Sequence, residues 1–251
     1  TMGVAGVAAY VGMALFFIWN LKSAIVYYTW TRAAAEKDLL ESPLIAPWGL
    51  HPSVVKTWTD QIIASYYDPK AKQAQIRTHM AASLLITVLL IFQLVPKLRR
   101  NFIWLHRWAG RFCIAFAVAN LPIFWKLIMG FKLSRFTQYF EIPIWAAIPF
   151  FGIKGWLSAR NKDIQSHRSS MIMFSSCFFF FGVQRLCILF VQAVHSLPAT
   201  REHLPLGDIS KVQGTDYWEV CFGSADVLAA LLTFGVGAYN AYGPRIKTKS
   251  A

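Results

Sequence analysis

"SSMIMFSSCFFFFGVQRLCILFVQAV", residues 169–194, carries a single charge, Arg185, in an otherwise apolar run. A bilayer core of about 30 Å takes about 20 mainly apolar residues at 1.5 Å each, so this stretch is long enough to cross a membrane. An arginine in the middle of such a span costs at least about 2.5 kcal/mol unless it has a partner or a cavity. The stretch therefore predicts a helical membrane protein with polar company for Arg185 on a second helix.

Outward from this segment, five more runs meet the same length criterion, which predicts an all-α bundle of six transmembrane helices. The first extends from about Val4 to Tyr28. The second begins with "DPK", where Asp68 suits an N-cap and Pro69 the first helical position, and its apolar part runs from Met80 to Val95 before Pro96. The third runs from Asn101 to about Gly130 with a bend expected at Pro122, the fourth from Phe140 to Leu157, and the sixth from Tyr217 to Tyr242, ended by Gly243 and Pro244. The organisation is then a first helix (1–28), a polar and aromatic segment (29–78) and a five-helix membrane domain (79–251). Val55, Trp58 and Ile62 recur at helical spacing, which predicts a short amphipathic helix within the 29–78 segment.

Composition agrees with a membrane setting. Of 251 residues, 56% are hydrophobic and 15% charged, where about 25% charge is usual in soluble domains. Ten tryptophans and twenty phenylalanines supply interfacial belts and lipid-facing sides. The formal net charge of +13 flanks apolar segments and is not gathered on a soluble module, which argues against nucleic acid as a partner. Counted near the helix ends, twelve lysines and arginines fall at one edge and five in the short loops of the other. Both termini are accordingly expected on the cytoplasmic or matrix side, with residues 29–78 outside. Cys113, Cys177, Cys187 and Cys221 lack CxxC spacing and read as reduced packing residues. The chain starts at threonine, which fits removal of a leader, whereas "TMGVAG" lacks the basic n-region of a secretory signal.

Three groups of polar residues follow from this layout. At the basic inner edge, Arg107 and Arg111 share a helix face, Gly110 opens space between them, and Arg168 lies on the facing helix. Such guanidiniums suit phospholipid headgroups, and Asp163, four residues before His167, is a candidate carboxylate joining the two motifs. Four histidines stand near helix ends, His106 and His167 at the inner edge and His79 and His195 at the outer. This is the placement of bis-histidine haem b ligands, and equally of interfacial histidines. From His167 to His195 are 28 residues, about 42 Å of helix, so the two lie near or beyond the interfaces. No Walker, Rossmann or HExxH pattern is present, and no DDxxD-like acidic pair. Deeper, Arg185 lies about 15 Å from the outer end of its helix and Asp226 about 13 Å from that of the sixth, a level that Asn120 shares. With Gln184, Gln192 and Glu141 they form a candidate intramembrane cluster, either an ion pair holding helices together or a site for a quinone, another small molecule or a proton.

His79 opening an apolar helix, "PKLRRNFIWLHRWAGR" (96–111), "ARNKDIQSHRSSMIM" (159–173) and the late Arg185 together cover about residues 77–190. They resemble a widespread family of predicted integral membrane proteins of unknown function, marked by a helix-opening His, a His-Arg-Trp-x-Gly-Arg motif and a later His-Arg motif. The resemblance carries over to His79, His106, Arg107, Gly110, Arg111, His167, Arg168 and Arg185, and implies architecture more than chemistry. His195, the first helix and the 29–78 segment fall outside it. The leading expectation is a non-catalytic accessory or scaffold subunit of a larger membrane complex, respiratory or otherwise energy-converting, with the mitochondrial inner membrane as its expected place. The 29–78 segment would dock other subunits and the basic edge would hold lipid. The alternatives are a haem-b electron carrier and a quinone or small-molecule enzyme or transporter.

Overall fold

A computed structural model describes residues 28–41, 71–130, 134–196 and 215–243, together with Tyr67 and scattered positions between 14 and 25. The described residues are almost wholly helical, without a strand. In chain order they form α1 (Arg32–Glu41), α2 (Ala71–Leu94), α3 (Pro96–Asn101), α4 (Ile103–Gly130), α5 (Arg135–Arg160), α6 (Ile164–Ser196) and α7 (Thr215–Ala230). The last continues through a π turn (Leu231–Gly235) into α8 (Val236–Tyr242). Five helices are long and apolar enough to cross a membrane, over Arg77–Leu94, Ile103–Lys126, Arg135–Arg160, Ile164–Val191 and Glu219–Tyr242. Most of the expected first helix, the Val55–Ile62 segment and the side chains of Gln192 and His195 lie outside the described residues.

Chain breaks explain the helix ends. Val95, extended before Pro96, closes α2, and Pro96 then opens the short α3 instead of merely ending its neighbour. Pro122 lies within α4 and Pro143 and Pro149 within α5. Between α5 and α6 the turn is only Asn161 to Asp163, with Lys162 at a φ of 60° and Asp163 N–H donating to Ser158 O at 2.9 Å.

α6 is the central element, with two-thirds of its span buried by its neighbours. It meets α5 on one side and α7, the π turn and α8 on the other. Close approach to α5 depends on two glycines. A Cβ at Gly155 would stand 2.7 Å from Met171 Sδ, and one at Gly152 3.0 Å from the Phe174 ring. On the other side Gly237 lies against Ser176. All four cysteines are buried in this core and none forms a disulfide, in agreement with a packing role.

α1 was not evident from the sequence. Thr31 caps it by accepting from Ala34 N–H at 3.3 Å, and Arg32 bonds Glu36 at 2.7 Å across one turn. Ala35 on α1 and Tyr67 both join the chain's own apolar core, and Tyr28 Oη donates to Arg77 O at 2.6 Å. Part of the segment expected to reach outward is therefore folded onto the bundle.

Candidate functional site

The site forms where α5, α6 and α7 face one another on the half of the bundle that contains the N-terminal end of α5. Its outermost member is Glu219, whose carboxylate caps α5 from the neighbouring helix. It accepts from Arg135 N–H at 2.5 Å, Phe136 N–H at 3.1 Å and Ser134 Oγ at 2.7 Å. These are first-turn N–H groups with no partner within the helix, and a carboxylate also complements the positive end of the dipole. Ser134 Oγ accepts in turn from Thr137 N–H at 3.0 Å.

Deeper, Ser134, Thr137, Glu141 and Ile144 or Trp145 follow one another at three- and four-residue steps, which puts them on one face of α5. Thr137 Oγ1 donates to Asp226 Oδ2 at 2.6 Å, and the Gln184 amide nitrogen donates to Asp226 Oδ1. That same nitrogen donates to Glu141 Oε1 at 2.9 Å, while Arg185 Nη1 donates to Gln184 Oε1 at 2.7 Å. Asp226 and Gln184 are both 0% exposed. The expected Arg185–Asp226 pairing is thus made through the Gln184 amide and not by direct contact. Its acceptor faces the guanidinium and its donors face the carboxyls.

Asn120, expected at the same level, is buried, but its amide donates to Phe116 O at 2.8 Å on its own helix. A polar side chain in an apolar helix commonly bonds one turn back. Against the cluster lies an aromatic wall. The His79 ring meets the edge of Phe124 with centroids 5.6 Å apart, Phe124 stacks on Trp145 at 4.2 Å, and Trp145 stacks on Phe181 at 4.4 Å. His79 is within electrostatic range of Arg185, and its Nδ1 is closed to solvent with no hydrogen-bond partner.

The His106–His167 edge is built differently. Asp163 does not reach Arg107 or Arg111; it accepts from Ser166 N–H at 2.9 Å and caps α6. Gly110 leaves room not for a headgroup but for Gln93. A Cβ there would stand 3.2 Å from Gln93 Oε1, and Gln93 Nε2 donates to His106 O at 2.9 Å. Arg107, Arg111 and Arg168 are exposed. Arg111 lies over the Trp108 ring at 5.4 Å and Arg160 over Trp156 at 5.4 Å, the pairing of cation and indole that suits a membrane–water boundary.

His167 Nδ1 donates to Gly155 O at 2.8 Å, while His106 Nδ1 is buried without a partner, and the two rings are within electrostatic range of each other. Among the described residues no three His, Cys, Asp or Glu side chains gather as a metal site. Comparison with protein-family models, curated proteins and solved structures returned no match.

Sequence reasoning missed Thr137, Ser134 and Glu219. The first two are hydroxyls beside or within an apolar run and look neutral there. Glu219 is 85 residues from Ser134 in sequence, and nothing local announces the contact. The three-and-four spacing of Ser134, Thr137 and Glu141 is the signal that joins the first two to the cluster, and it does not reach Glu219.

Proposed function

We propose that this chain is a non-catalytic subunit of a larger membrane assembly, with its polar cluster serving to fix three helices in one arrangement. The observation that carries the reading is the closure of the network around Asp226. Both carboxyl oxygens accept from side chains on α5 and α6, and the Gln184 amide is used at both its nitrogen and its oxygen. A buried polar network with its deepest members satisfied specifies helix register, whereas a half-satisfied one weakens the interior. The first helix makes a sixth span, as in the family the motifs resemble with one helix added. The basic edge faces the cytoplasm or matrix, and Arg107, Arg111 and Arg168 hold phospholipid headgroups there. Residues 29–78 dock neighbouring subunits, with α1 as the part already seated on the bundle. An energy-converting complex of the mitochondrial inner membrane suits this arrangement.

Gentle extraction followed by native electrophoresis and mass spectrometry tests the proposal. Co-migration with a set of membrane subunits is the expected result, and a chain that runs alone and is fully active in an assay contradicts it.

One observation favours a second reading, a haem b held by His106 and His167. A bond from Nδ1 to a backbone carbonyl, as His167 makes to Gly155, is the usual means of orienting a histidine whose other nitrogen binds metal. A Soret band in the purified protein, lost in His106→Ala and His167→Ala, would establish it in place of the first.

A further inference from the structure

The network around Asp226 holds more acidic groups than basic ones. Two carboxyls, Glu141 on α5 and Asp226 on α7, share the amide nitrogen of Gln184, each accepting one of its hydrogens. Among the described residues one guanidinium, Arg185, lies within range of both, and it bonds Gln184 without forming an ion pair with either. The other titratable groups nearby are Glu219 near the start of α7, the Cys187 thiol on α6 and His79 on α2. None of them adds a positive charge. An imidazolium would have two N–H groups to place, and His79 Nδ1 is sealed from solvent with no acceptor. With both carboxyls ionised the cluster would carry a net negative charge inside the span, where an unbalanced carboxylate takes up a proton instead.

One proton on the pair removes the imbalance, and the hydrogen-bond donors decide which carboxyl takes it. Glu219 accepts from three donors, and Asp226 from two, the Thr137 hydroxyl and the Gln184 amide. Glu141 has the Gln184 N–H on Oε1, whereas the donor facing Oε2, Trp145 Nε1, is 3.5 Å away, at the outer limit of a hydrogen bond. Donors stabilise the ionised form, so the carboxyl with the fewest is the one to be neutral. A hydroxyl at Oε2 has no need of the missing donor, and Oε1 still accepts as a carbonyl. We infer that Glu141 is a proton-binding site within the membrane span, with the proton on Oε2 and with Asp226 left as the charged partner that Gln184 connects to Arg185. This goes beyond the scaffold role and holds whether or not the chain sits in a larger assembly.

The test is infrared spectroscopy of the full chain in an ester-free detergent at neutral pH, where exposed carboxyls are ionised and do not contribute. The wild type should show the carbonyl stretch of an un-ionised carboxylic acid, shifted in heavy water. Glu141→Gln is the neutral counterpart of the protonated acid, so it should lose that band and keep the unfolding midpoint. A folded wild type without the band would overturn the inference, since both carboxyls would then be ionised. So would a band that survives in Glu141→Gln, which would put the proton on another group. Failure of Glu141→Gln to fold would overturn it as well, because the site would then require the carboxylate.

Discussion

Two settings of arginine in this molecule differ in what surrounds the charge. At the His106–His167 edge, Arg107, Arg111 and Arg168 are exposed, and Arg111 rests on an indole. Inside the bundle, Arg185 is tied to Gln184, through it to Asp226, and so to Thr137 on a third helix. The edge arginines are open to their surroundings, so exchanging them should have little effect on the fold. The interior one is part of a set in which each member fixes the orientation of the next. The same side chain is thus an adjustable anchor in one place and a determinant of helix register in the other.

Four substitutions break or sharpen that contrast. Asp226→Asn should have the largest effect, because its NH2 would face the Thr137 or Gln184 donor in place of an acceptor. A loss of about 3 kcal/mol is expected, read as a lower unfolding midpoint in detergent and less extractable protein. An unchanged midpoint would remove the network from the account of the fold. Gly155→Leu should cost about 2 kcal/mol by forcing Met171 away and parting α5 from α6, measurable in the same assay. Glu219→Ala should cost about 1 to 2 kcal/mol and speed hydrogen exchange at Arg135 and Phe136, whose N–H groups lose their acceptor. Arg111→Ala should leave the midpoint nearly unchanged and reduce only binding to anionic vesicles, an effect that fades as salt rises. If it destabilised the fold as much as Asp226→Asn, the contrast between edge and interior would collapse.

What could be read in advance follows the range of each interaction. Span positions were legible because length and apolarity are local, and Pro96 and Gly243 mark their ends. The level of Asp226 with Arg185 was legible because helix rise is constant, so counting residues counts depth. The route between them was not, since Gln184 precedes Arg185 by one residue and its direction depends on which helices come to face it. Asp163 shows the opposite error. Its charge suggests a distant electrostatic partner, but its place three residues before Ser166 makes it a local cap. α1 escaped because its polarity is nearly uniform around the helix, and among its described side chains Ala35, packed in the core, marks the buried side.

The π turn at Leu231–Gly235 bears on insertions and deletions in the final helix. Cys221, Ala225, Ala229, Thr233 and Gly237 are all buried at intervals of four. In a regular α-helix such a series drifts about 40° per step, so Gly237 would sit about 120° from Ala225 and away from Ser176. The wider turn absorbs that drift, which is equivalent to carrying one residue more than a regular helix needs. Deleting Leu232, which is exposed, should therefore give an uninterrupted α-helix of nearly the same length, with Asp226 and the displaced glycine still aimed at α6. Most single-residue deletions in a membrane span rotate everything beyond them off register. At this position the length of the chain can change while the packing surface stays where it was.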